Sequence, residues 1–205
     1  MKEFKTKQEE FWSGEFGDEY IARNISDKLM ASNLHFFSTI LSGVDSIKSI
    51  IEFGSNVGMN LKAIKLLLPG SQLAGIEINE KAFKELLQIK DVKGYHTSIL
   101  DFKIDYPRDL VLIKGVLIHI SPDELQSVYE KLYESSGKYI CIAEYYNPTP
   151  VELNYRGHTG KLFKRDFAGE LVKKYPDLRL IKYGFAYHGD PLFPQDDITW
   201  FLFEK

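Results

Sequence analysis

Apolar positions follow one period in the first fifth of the chain and another after it. Through residues 2–42 they recur at helical spacing, with a break at Ser13-Gly14-Glu15-Phe16-Gly17. Within 24–41 they fall at Ile25, Leu29, Leu34, Phe37 and Leu41. Then Ser49-Ile50-Ile51-Glu52-Phe53 forms a short apolar run that stops at glycine, as a strand buried on both faces should. A helix over 60–68 ends at Pro69-Gly70, a strong stop. The pattern continues with a strand over 72–78, a helix over 80–89 and a more polar strand over 95–99. A fourth strand over 109–117 is almost continuously apolar. Ser121, Pro122 and Glu124 then signal a helix over 122–133, with a hydroxyl cap, a proline in the first turn and a carboxylate three residues past the cap. A fifth strand over 138–144 and a helix over 163–175 follow, with a loop at 147–160 between them.

Strands alternating with helices imply βαβ units and a mostly parallel sheet. The last two apolar runs, 178–187 and 198–204, have no helix between them and should pair antiparallel. No repeat, low-complexity run or long linker divides the chain. We expect one domain over 1–205, with a helical segment over 1–45 and an α/β core over 46–205.

Composition narrows the function. The chain has 205 residues and a net charge of −3, from 26 basic and 29 acidic side chains. A nucleic-acid binder would carry a basic excess to neutralise phosphates, so none is expected as a partner. The single cysteine, Cys141, allows no internal disulfide and fits a reducing compartment. Within Tyr139-Ile140-Cys141-Ile142-Ala143 it reads as a small core hydrophobe. The N-terminus is rich in Lys and Glu, unlike a secretory signal, and no apolar run is long enough to span a membrane. A cytoplasmic protein without a membrane partner is the expectation. Aromatic residues, 14% of the chain, suit either a cleft wall or the core.

Glu52-Phe53-Gly54-Ser55-Asn56-Val57-Gly58 lies between the first strand and the first core helix. Glycines there let backbone approach a ligand closely, though a tight structural turn needs them too. Asn56 replaces the usual second glycine, and asparagine tolerates a left-handed backbone. Glu77 ends the next strand about 20 residues later, where an acid accepts hydrogen bonds from ribose hydroxyls. Alone it would be a plain strand-end carboxylate; with the loop it points to a nucleoside. Glu52 directly before the loop would repel a pyrophosphate, but it attracts the cationic amino and sulfonium groups of S-adenosylmethionine. That cofactor is therefore favoured over NAD. The fourth strand ends near Lys114 and Gly115, on the ligand-binding edge of an open sheet. His119 follows, as a general base or a structural histidine.

These stretches resemble class I S-adenosylmethionine-dependent methyltransferases. More closely, the chain resembles the methylases associated with pseudaminic acid biosynthesis. The residues that carry this likeness are Phe11-Trp12 with Gly14 to Asp18, then Tyr20 and Arg23-Asn24, Lys114 to Ile120, Ile142 to Pro148, Tyr155 to His158, Leu162 to Gly169 and Pro194 to Trp200. The resemblance implies a Rossmann-like three-layer sandwich: a mostly parallel seven-stranded sheet, an antiparallel C-terminal hairpin and an N-terminal helical lid. It implies methyl transfer to a small molecule, plausibly a sugar, a nonulosonic acid or a sugar nucleotide, leaving S-adenosylhomocysteine. Other small-molecule acceptors, and a cofactor-binding subunit without turnover, remain as alternatives.

On that reading Ser98 and the Ile99 backbone meet adenine, joined at the cofactor by Gly54, Ser55, Asn56, Gly58, Ile78, Lys114 and Gly115. Trp12, Tyr20 and Arg23 cover it, with Arg23 facing the methionine carboxylate. Glu144 and Tyr146, at the end of the fifth strand, stand beside His119 as catalytic candidates. Glu144 is the first choice for an acceptor-side carboxylate, or else a satisfied strand-end acid. Tyr145, Asn147, Arg156 and His158 are expected at the substrate, with Arg156 able to grip a carboxylate or phosphate through its planar fork. His188, Asp196 and Asp197 lack tight metal-ligand spacing, so no metal is expected.

Overall fold

In the computed structural model, residues 4–21 and 26–205 are described. The helical N-terminal pattern resolves into α1 (Lys7–Ser13), α2 (Glu15–Ile21) and α3 (Asp27–Leu41). The break expected around Ser13 to Gly17 narrows to Gly14, which ends α1. The core follows as β1 (Ser49–Phe53), α4 (Met59–Leu67), β2 (Gln72–Glu77), α5 (Glu80–Leu86), β3 (Val92–His96) and β4 (Arg108–Lys114). Then come α6 (Leu125–Ser135), β5 (Ser136–Glu144), β6 (Val151–Tyr155), β7 (His158–Lys164), α7 (Phe167–Lys174), β8 (Arg179–Ala186) and β9 (Ile198–Glu204).

Seven strands form one sheet in the order β3-β2-β1-β4-β5-β9-β8. The first five are parallel, and β9 runs antiparallel to both β5 and β8. Beside β1 the chain order reverses, because β2 pairs on one side and β4 on the other. Such a switch point opens a crevice at the carboxyl ends of the strands.

Alternation along each strand divides the core into two layers. Ile51, Phe53, Val111, Ile113, Ile140 and Ile142 face one way, packing with Val128 and Leu132 of α6 and Leu171 of α7. Ile50, Leu110, Leu112 and Cys141 face the other, with Phe36, Phe37 and Ile40 of α3 and Leu61 and Ile64 of α4. Fully burying each such side chain contributes roughly 1.5–3 kcal/mol. Burial pushes the Cys141 thiol up to about 12, as befits a core residue.

Several boundaries differ from the pattern. The third strand ends at His96, earlier than expected, and residues 97–100 turn instead. The fourth stops at Lys114 because Gly115 takes a left-handed φ of 66° and a 3₁₀ turn follows at Leu117–His119. Ser121 makes no side-chain cap; Pro122–Glu124 forms a 3₁₀ turn and α6 starts at Leu125. The loop over 147–160 and the start of the helix over 163–175 are replaced by the β6–β7 hairpin, with α7 beginning only at Phe167. Arg156 and Gly157, at φ 52° and 89°, form the two-residue turn that a twisted hairpin favours. The Asn154 side chain braces it by accepting the Gly157 N–H at 2.8 Å.

Candidate functional site

A cleft of about 270 Å³ opens at the carboxyl ends of β1, β2 and β4, beneath α1 and α2. Its floor is the loop after β1, where Gly54, Asn56 and Gly58 have φ of 74°, 48° and 76°. Asn56 thus adopts the left-handed backbone expected of a second glycine. A Cβ on Gly54 would lie 2.6 Å from a Val116 methyl, so that approach requires glycine. Gly58 caps α4 and packs toward Ile89 and Leu86; it does not line the cleft. Ser55 does, and its hydroxyl bonds back toward the Glu52 and Ile76 carbonyls.

Glu77 stands at the edge of this floor with only 8% of its surface exposed. One carboxylate oxygen accepts the Asn56 N–H and the other the Asn79 N–H, each at 2.7 Å. Burial pushes its carboxyl up, and these N–H groups pull it back. A carboxylate has about four lone-pair sites. Glu77 also lines the cleft, so acceptor capacity is left at its edge. Ile78 lines the wall beside it.

Glu52 is placed differently from the sequence expectation. It is 0% exposed and lies under the cleft without lining it. Its Oε1 accepts the Asn60 amide at 2.6 Å, while its buried Oε2 has no partner among the described residues. Burial raises its pKa to about 8, against the opposing pull of Asn60 and Lys114. Asn60, which no sequence signal marked, is the group that carries this acid's influence into the cleft. Lys114 and Gly115 line the cleft as expected. Burial lowers the Lys114 pKa, offset by the Glu52, Asp196 and Glu144 carboxylates.

At the far end, Ser98 and Ile99 line the wall beyond β3. The Ser98 hydroxyl donates to the carboxylate of Glu9 on α1, a residue the pattern did not single out. Trp12 and Tyr20 also line the cleft, so the N-terminal helices cover it. Arg23 lies outside the described residues.

The other end is aromatic. His119 sits 4.6 Å from the Trp12 ring and 4.9 Å from the Tyr155 ring, centroid to centroid. Its Nδ1 lies 2.6 Å from the Lys161 carbonyl, and burial lowers its pKa to about 4. The imidazole is therefore neutral near pH 7. With Nδ1–H donating to that carbonyl, the lone pair is assigned to Nε2. Tyr145 completes this wall.

Five expected residues stand elsewhere. Glu144 is 2% exposed, off the cleft, with Oε1 accepting the Val116 and Leu117 N–H groups at 2.9 Å. It braces the turn after β4, and burial raises its pKa to about 7. Tyr146 is exposed and bridges to Arg165. Asn147 spends its amide on the Thr149 carbonyl at 2.5 Å. Arg156 is exposed at the hairpin tip. His158 packs on Phe11 and Phe16, centroids 4.9 and 5.7 Å away, fastening the hairpin to the N-terminal helices. None of these lines the cleft.

Their place is taken by Asn33, Tyr155, Gln195 and Asp196. Gln195 donates to Asn33 at 3.1 Å, and Asp197 pairs with His188 at 2.8 Å, so both neighbours of Asp196 are anchored. The Asp196 carboxylate acts on both Lys114 and Tyr145: it opposes the lowering that burial imposes on Lys114 and adds to the rise that burial imposes on Tyr145. No metal-ligand cluster occurs among the described residues.

No protein-family model matches this chain, and no curated protein matches it in sequence. Solved structures do match in fold. A methyltransferase from Leishmania major described as SAM-dependent superposes with a TM-score of 0.72 at 13% identity, covering 97% of this chain and 81% of that one. The 1,6-didemethyltoxoflavin-N1-methyltransferase of Burkholderia thailandensis, with its substrate and S-adenosylhomocysteine bound, gives 0.70 at 12%, over 97% and 86%. A plantazolicin methyltransferase with S-adenosylhomocysteine gives 0.63 at 14%, over 97% and 93%. The fold is the Rossmann-like methyltransferase fold, with its mostly parallel seven-stranded sheet and antiparallel C-terminal hairpin.

Proposed function

We propose that this chain is an S-adenosylmethionine-dependent methyltransferase acting on a small molecule, with a sugar or sugar derivative as acceptor. The observation that carries the reading is Glu77, gripped by two backbone N–H groups and facing the cleft beside the left-handed loop of Gly54 and Asn56. The residues present suit the cofactor. Glu77 would take the ribose hydroxyls, and Ser98 and Ile99 would border adenine. Asn60, backed by the half-satisfied Glu52, would meet the amino group, with Lys114 set for the carboxylate.

Bound S-adenosylmethionine supplies a methyl group on a sulfonium, and S-adenosylhomocysteine is the product left. The protein's part is to align the acceptor and exclude water. Trp12 and Tyr20 on the N-terminal helices close the cleft over that site. Trp12, His119, Tyr145 and Tyr155 form a wall on which the apolar face of a sugar ring can pack. The resemblance to methylases of pseudaminic acid biosynthesis supports the same acceptor class. Asp196, not Glu144, is the acceptor-side carboxylate, and the free Nε2 of His119 is the second proton acceptor available to a hydroxyl.

The test is transfer of labelled methyl from S-adenosylmethionine to a panel of nucleotide sugars, nonulosonic acids and heteroaromatic amines. Label should enter a sugar, and Asp196→Asn should lower turnover by roughly 10²–10⁴-fold with cofactor affinity retained. Label entering only a heteroaromatic amine would overturn the sugar assignment. Tight cofactor binding with no transfer to any member would favour a binding subunit.

A further inference from the structure

We propose that Glu9 on α1 reads the cofactor's base by accepting a hydrogen bond from the exocyclic amine of adenine. This rests on the cofactor reading above. Sheet order places the base. The loop after β1 and Lys114 of β4 hold the amino-acid end, and Glu77 at the end of β2 holds the ribose. The next strand outward is β3, so the base lies against Thr97, Ser98 and Ile99.

Among the described residues, Glu9 is the ionisable side chain lining that end. Asp101 nearby pairs with Lys5 at 2.6 Å and does not line the cleft. Glu9 closes a capping box on α1: its Oε2 accepts the Lys5 and Thr6 N–H groups at 2.6 and 3.0 Å, while Thr6 accepts the Glu9 N–H at 3.1 Å. Capping needs no more than this. Oε1 turns the other way and receives the Ser98 hydroxyl from across the chain. Three donors thus occupy a group with about four lone-pair sites, and one site on Oε1 stays open. Glu9 is 8% exposed and lines the cleft.

A carboxylate already receiving three donors offers its remaining lone pair as an acceptor. It suits the amine of adenine and opposes the keto oxygen of hypoxanthine at the same ring position. The helix does not depend on Glu9 alone for its place. Gln8 donates to the Gly160 carbonyl at 2.9 Å, and Lys161 donates to the Lys7 carbonyl at 2.6 Å.

The experiment is calorimetric titration with S-adenosylhomocysteine and with S-inosylhomocysteine, its 6-keto analogue. Wild type should favour the adenine compound by at least about tenfold. Glu9→Gln keeps an acceptor for the cap and adds an amide donor, so the preference should shrink several-fold or invert. Thr6→Ala weakens the cap without touching the carboxylate and should leave the preference unchanged. Equal binding of both compounds by wild type would overturn the proposal, even if Glu9→Gln does not fold. So would an unaltered preference in Glu9→Gln, or an equal change in Thr6→Ala. Folded wild type that binds neither compound would instead sink the cofactor reading on which the proposal stands.

Discussion

Glu52 and Glu77 end neighbouring strands and are both buried, yet their surroundings give them opposite uses. Glu77 is held by two N–H groups at the cleft edge. Glu52 has one amide donor and an orphaned oxygen, and burial raises its pKa from 4.5 to about 8 against the pull of that single donor. An acid whose folded pKa lies above its unfolded one binds more protons when folded. Its ionisation therefore costs stability as pH rises from 4.5 through about 8. Without ligand, Glu52→Gln should gain stability relative to wild type between pH 5 and pH 9, on the order of a few kcal/mol at the alkaline end. Glu144, raised to about 7, and His119, lowered to about 4, titrate in both proteins and cancel in the difference. Urea denaturation at the two pH values measures this, and a difference that does not change with pH would contradict it. Glu77 was legible in the sequence because its strand and its distance from the glycine loop announce it. Glu9 and Asp196 were not, because each acquires its place only through contacts with distant parts of the chain.

At the scale of elements, the strands of the parallel core were the most legible parts. β1 and β9 fall on their expected residues, since a doubly buried strand is a continuous apolar run ended by turn residues. The β6–β7 hairpin was missed. Its apolar members, Val151, Leu153 and Tyr155, alternate at period two, but polar neighbours and the surrounding prolines read as loop. That miss displaced the acceptor side, because Tyr155 enters the cleft from the hairpin while Arg156 stays at its tip. Asn79 ties two elements together. Its Oδ1 caps α5 by accepting the Ala82 N–H at 2.9 Å, and its amide donates to Asp18 of α2 at 2.8 Å. Asn79→Ala should cost about 1–2 kcal/mol through the cap alone. It should also loosen α2 over the cleft, seen as faster amide exchange in Glu15–Ile21. Unchanged exchange there would show that α2 is held by its aromatic packing instead.

At the scale of the molecule, the strand order brings the buried Glu77 edge and an aromatic wall together in one cleft under the N-terminal helices. The alternation of strands and helices was enough to anticipate the sheet and its terminal hairpin. It was not enough to locate the aromatic end of the cleft, which draws residues from α1, the turn after β4, the hairpin and the β8–β9 connection. Among the described residues no helix is long and apolar enough to cross a membrane. On the proposed function the cleft holds S-adenosylmethionine, with Glu77 at its ribose. Calorimetric titration of wild type and Glu77→Ala with S-adenosylmethionine and with NAD tests it most directly. The protein should bind the former alone, with affinity weakened roughly 10- to 150-fold by the substitution, as for a lost charged hydrogen bond. Binding of NAD, or S-adenosylmethionine affinity that Glu77→Ala leaves intact, would contradict it.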